Sequence, residues 1–196
     1  MPEEATRDPT GSLFWATGLE PWATRLRPKA SSARYNTGMS AAQEWLARFG
    51  DAENCLRHLE RSRQELWHLV GSLSDEQLYR RPGAEVWSPA EVLEHLSLVE
   101  ESVGKIIRRL RKVSMGEAEP FPPSPPGQTR PDGRPLAPPL MEPRGGLTRA
   151  ALLERLQAVR ERVLVEVAES GERLLHPPTY AHPFFGELTA LGWLQT

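Results

Sequence analysis

Ser88-Pro89-Ala90-Glu91 is the stretch that most constrains how this chain folds. A serine at the N-cap, a proline at the first helical position where its missing N–H costs nothing, and a glutamate at N3 that can reach back form a capping box. Beyond it Val92, Leu96, Val99, Val103, Ile106, Leu110 and Val113 recur at spacings of four and three. That pattern predicts a long amphipathic helix with a continuous apolar seam, which other helices must cover. Trp87, just before the cap, is expected to pack near Val92 as a hydrophobic staple. His95 lies about 60° from the axis of the seam, at about 100° per residue. It therefore borders a helix–helix interface and reads as either a metal ligand or an ordinary half-buried histidine.

Residues 1–39 show no sustained period and are expected to form a disordered N-terminal extension. The helical domain is expected over residues 40–196, opening with a second capping box, Ser40-Ala-Ala-Gln43. Gly50 is placed to break or kink that start. Cys55, Leu59, Ser62, Leu66, Leu69 and Leu73 then make a seam with Leu56 and Val70 beside it, and the helix should end near Gly71 or Leu73. A connection through Arg81-Pro82-Gly83 leads to the capped helix. Ten of the chain's 19 prolines fall in residues 114–147, so this segment reads as an exposed loop of polyproline character. Its P-x-x-P spacings arise readily in any such loop. Thr148 should cap a third helix with Leu152, Leu156, Val159 and Val163 on its face, ending near Ser170 before Gly171. Turn-rich sequence comes next, and a fourth helix begins near Thr189.

The bulk numbers exclude several classes. Lys and Arg total 24 against 26 Asp and Glu, a net charge of −2, so there is no global signature of a nucleic-acid or anionic-membrane partner. Cys55 is the single cysteine, which rules out an intrachain disulfide and suits a reducing cytoplasmic location. Its place on the seam reads as a small buried hydrophobe and not a nucleophile. No apolar run approaches the roughly 20 residues that span a bilayer, and the acidic N-terminus lacks a secretory apolar core.

Leu73-Ser-Asp-Glu-Gln-Leu78, Arg81-Pro82 and Trp87-Ser-Pro-Ala-Glu-Val-Leu-Glu-His95-Leu96 together resemble the DinB-like superfamily. His182-Pro-Phe-Phe-Gly186, followed by Leu188-Thr189 and Trp193-Leu194, looks like the same family's approach to its last helix. The resemblance implies an all-α fold, an up-down four-helix bundle with an overhand connection, the long Pro-rich loop lying between helices 2 and 3. It also implies a divalent metal (zinc, nickel or iron) held by three histidines. One of these matches His95, and the other two come from an H-x-x-x-H motif on the last helix, a spacing that puts both imidazoles on one face. Open coordination positions would activate a water or a thiol. The implied substrate is a small molecule or a thiol, and the implied activity that of a transferase, isomerase or hydrolase.

The sequence departs from that pattern where it matters most. It ends at Thr196 before any H-x-x-x-H. His182 precedes the last helix and is expected to be structural. His58 and His68 are ten residues apart, and His176 lies in a Pro-rich turn. The expectation is therefore that His95 occupies the ligand position but that this chain binds no metal, leaving an ancestral metal-dependent thiol transferase or hydrolase inactive. The alternative is a non-catalytic helical interaction domain, or a fragment of a longer DinB-like enzyme. Glu91 is read as a cap, and Glu94 and Glu100 as solvated flanks. A last helix of seven residues covers about 10 Å, against about 30 Å for its neighbours. The uncovered seam is expected to include Val99, Val103 and Ile106, and either a second copy covers it in a homodimer or the chain is loosely packed and aggregation-prone.

Overall fold

The computed structural model describes residues 46–131 and 133–196. The expected extension over residues 1–39 and the expected cap at Ser40 lie outside the described residues. Gly50, at φ +68°, separates the first described turn from the first long helix. Asp51 accepts a hydrogen bond from Asn54 N at 2.8 Å and caps that helix, α1, Ala52–Ser72. A second capping box, with Ser74 as N-cap and Gln77 at N3, opens the short α2, Asp75–Tyr79, which buries Leu78 completely. The predicted box at Ser88 and Glu91 opens α3, Pro89–Ser114. Thr148 caps α4, Arg149–Ser170, which Gly171 ends at φ +52°. A 3-10 turn, Gly171–Leu175, comes directly after it.

The turn-rich stretch holds an antiparallel hairpin that the sequence pattern did not predict, β1, Tyr180–His182, and β2, Gly186–Leu188. Strands of three residues are too short to show an alternating period, and Gly186 at φ +73° turns the chain. Thr189 then caps α5, Ala190–Leu194, all of whose residues are buried.

Contacts set the direction of the helices. Glu100, Gly104 and Arg111 on α3 meet Arg160, Val163 and Glu166 on α4, in the same order along both. α3 and α4 are therefore parallel, and residues 115–148 run back along the bundle as the overhand connection. A helix of 26 residues is on the order of 39 Å long. An extended proline-rich chain suits that return, because each residue of a polyproline II segment advances about 3.1 Å.

The core has two apolar clusters. At one end Cys55, Leu56, Ile106, Ile107, Leu110, Val163 and Val167 pack around Leu191, Trp193 and Leu194. At the other Val70, Leu78, Ala90, Leu93, Leu152 and Leu156 pack together, with Leu66, Trp67 and Leu96 at their edge. The predicted face of α4 is buried as expected, with Leu152, Leu156, Val159 and Val163 at most 4 % exposed.

The seams of α1 and α3 are corrected. On α3 Ile106 and Leu110 of the predicted seam are buried, but Leu93, Ser97, Gly104 and Ile107, each one residue along, are buried as well, and Val92 is 41 % exposed. On α1 Cys55 of the predicted seam is deepest at 2 %, with Leu56 and Val70 buried beside it as expected, but Arg63 is buried too and Leu69 is 57 % exposed. The cause is the near approach of α3 to α4: a Cβ on Gly104 would stand 3.1 Å from Val163 Cγ2. The expected bare face around Val99, Val103 and Ile106 is corrected too. Ile106 is buried beside α5, and Val99 and Val103 are half-buried. No helix among the described residues is long and apolar enough to cross a membrane.

Candidate functional site

His95 stands on the second turn of α3, held there by the most heavily bonded cap in the molecule. Ser88 N and Oγ donate to Glu91 Oε2 at 2.8 and 3.0 Å, and Glu91 N donates to Ser88 Oγ at 3.3 Å. Arg81 adds two more hydrogen bonds, Nε to Oε2 at 2.9 Å and Nη2 to Oε1. The Arg81 guanidinium, helped by Ser88, pulls the Glu91 carboxyl down to about 2. Glu91 is thus a cap, as its position predicts.

Glu94 and Glu100 are not solvated flanks. Glu94 is buried and its Oε2 accepts from Gly145 N at 2.8 Å, tying the returning chain to α3. His95, the next residue, makes the companion bond: its Nδ1 lies 2.7 Å from the carbonyl oxygen of Met141. A carbonyl only accepts, so Nδ1 carries the proton, and Nε2 of the neutral ring keeps its lone pair. The Trp87 ring lies 5.0 Å from the imidazole, centroid to centroid, so the expected staple packs on His95. Trp87, His95 and Met141 line a cleft of about 890 Å³. Trp87, Val92 and Val99 form one side, and Leu136 and Met141 of the return span form the other. Arg130, Glu85 and Glu142 supply charge at its margin.

The remaining histidines are elsewhere. His58 packs edge-on against Phe49 at 5.5 Å, and His68 and His176 are exposed. His182 is structural, as expected. Its Nδ1 accepts from Phe184 N at 3.1 Å, Trp193 and Phe185 each lie 4.7 Å from its ring, and burial pushes it down to about 4. Cys55 is buried against the carbonyl of Leu194, and burial raises its thiol to about 11, so it is no nucleophile. Among the described residues, no three His, Cys, Asp or Glu side chains stand together to hold a metal ion. His95 offers one nitrogen, and the described residues do not set two further donors beside it to fit a metal ion.

The sequence pattern did not reveal a charged layer between the two apolar clusters. Glu100 Oε1 accepts from Nη2 of both Arg63 and Arg160, one side chain from each long helix, and Arg160 Nη1 donates to Leu59 O at 3.0 Å. Arg63 also lies over the Trp67 ring, 5.1 Å from its centroid. Burial pushes the Arg63 guanidinium down from its usual value, and Glu100 pulls it back. Its Nε and Nη1, like Glu100 Oε2, have no partner among the described residues. The signal was present in the sequence: Arg63 and Arg160 each fall at apolar-face spacing, between Leu59 and Leu66 and between Leu156 and Val163.

The fold and this geometry define a four-helix-bundle domain whose second long helix holds one histidine toward a cleft. The chain belongs to the DinB superfamily, whose family model matches residues 58–196. It is 34 % identical over 140 residues to the uncharacterised protein YuaE of Bacillus subtilis (strain 168), covering 68 % of this chain and 82 % of YuaE. Among solved structures it is similar to TT2238, a four-helix bundle protein, with a TM-score of 0.53 and 28 % identity, over 73 % of this chain and 86 % of that one.

Proposed function

We propose that the cleft at His95 is a small-molecule site in which Nε2 accepts a hydrogen bond or a proton. We further propose that this chain by itself does not assemble the three-histidine metal centre that its family resemblance implies. The bond from Nδ1 to Met141 O carries this reading, because it fixes the tautomer and orients the ring. A metal-ligating histidine is held by the same kind of bond, its second ring nitrogen donating to a carbonyl. His95 is therefore preorganised as a ligand would be but belongs to no group of three such donors among the described residues, and one imidazole does not hold zinc or nickel against water. What it offers alone is a base. A thiol whose S–H reaches Nε2 can pass its proton to the ring and become the nucleophilic thiolate, which keeps a thiol among the candidate substrates.

Calorimetric titration of the full chain with zinc or nickel chloride tests the metal half. The expected result is equal binding by the wild-type chain and His95→Ala. Submicromolar binding of one metal per chain that His95→Ala abolishes overturns it. Nitrogen NMR of the imidazole tests the other half, with the neutral ring of His95 expected as the Nδ1–H tautomer.

A further inference from the structure

The return span carries a pattern that the His95 cleft, bordered only by its last member Arg130, does not use. Ala118, Phe121, Ser124, Gly127 and Arg130 are half-buried, and every residue between them is exposed. A burial period of three, in a stretch with no helix or strand, is the period of a polyproline II helix lying on the protein with one edge down. The inward edge is anchored. Phe121 stacks on Tyr180 with centroids 4.5 Å apart, and the Arg109 guanidinium sits 5.5 Å from the Phe121 ring. Arg109 Nε donates to Glu119 O at 2.6 Å, and Gly127 N donates to Pro183 O at 3.1 Å. A Cβ on Gly127 would fall 2.3 Å from the Phe184 ring, so a larger residue there would have to displace that ring.

The outward positions of two consecutive turns are Pro122-Pro123 and Pro125-Pro126. A return between parallel helices needs an extended chain, but it does not need proline at both solvent-facing positions of each turn. We propose that this face docks into the aromatic-lined, proline-binding groove of a partner protein. Grooves of that class read a preformed polyproline II helix, filling pockets with two residues per turn and leaving the third turned away. Here the third residue is the one turned onto the bundle. The segment is already held in shape by Phe121 and Gly127, so docking does not have to order it. Exposed Glu117 and Glu119 stand just before the prolines. The fitting groove therefore carries Lys or Arg beside its aromatic residues at that end.

The test titrates the full chain against purified EVH1, WW and SH3 domains, each paired with a control whose groove tryptophan is replaced by alanine. At least one domain with a basic rim should bind in a tryptophan-dependent way. Pro122→Ala with Pro125→Ala should weaken that binding at least about tenfold, while inward Ser124→Ala stays within about twofold. Glu117→Lys with Glu119→Lys should also weaken it. Matching thermal melts show that the variants remain folded. The proposal is overturned if no domain binds through its groove tryptophan, or if Ser124→Ala costs as much as the two outward prolines together.

Discussion

Glu100→Gln removes the one carboxylate shared by Arg63 and Arg160 while keeping its shape. Both guanidinium groups bind the same oxygen, so their nearest nitrogens stand within roughly 5 Å of each other by simple geometry. Arg63 and Arg160 are only 5 and 8 % exposed, which leaves little water to screen them. At an effective dielectric of about 20 their mutual repulsion is then about 3 kcal/mol. Breaking a buried ion pair from one side costs about 3–5 kcal/mol in general, for the same reason. A domain of ordinary stability has about 5–15 kcal/mol in all, so the variant should unfold at a much lower urea concentration with an unchanged slope. Replacing all three residues at once, Arg63→Met, Glu100→Leu and Arg160→Met, removes the charges together with their desolvation cost. That variant should match the wild-type chain or exceed it by about 1–4 kcal/mol. The measurement is urea unfolding followed by circular dichroism. A loss below about 1 kcal/mol for Glu100→Gln, or a triple variant as weak as the single one, would refute the reasoning.

His182 predicts a pH dependence. Its native value of about 4 lies below the usual 6.5, so the unfolded chain takes up the proton first as pH falls. Stability should be level above about pH 6.5, decline between there and about pH 4, and level off below; the part-exposed ring limits the loss to on the order of 1 kcal/mol. His182→Gln should flatten that segment of a plot of melting temperature against pH. Gly104→Ala should lower the melting temperature, because the new Cβ meets Val163 Cγ2 at 3.1 Å, and overpacking costs about 1–3 kcal/mol against a helix-propensity gain of about 1. Val163→Ala in the same chain should recover part of that loss. Ser88→Ala should cost about 1 kcal/mol of stability by opening the capping box, and the Glu91 carboxyl, observed by NMR, should titrate above its native value of about 2.

The helix starts at Pro89 and Arg149, the end at Gly171 and the break at Gly50 were all legible in the sequence. Each depends on groups within a few residues of one another: a serine or threonine oxygen meeting a nearby N–H, or a glycine taking a positive φ. The buried face of α4 was legible as well, because its apolar residues leave only one face to bury. Helical spacing put His95 at the border of a helix–helix interface, but the structure sets it against Met141 of the return span instead. Tertiary structure decided the rest. How much of α3 is buried depended on Gly104 admitting α4, and that extended the core one residue beyond the most apolar seam. Glu94 became buried and Glu100 half-buried because the return span and two arginines from other helices reached them. The partner of His95 Nδ1 is a backbone carbonyl 46 residues away, and every residue has such a carbonyl. Nothing in the letters marks the one that a parallel crossover brings onto the ring, since backbone groups acquire an address only when the chain has folded.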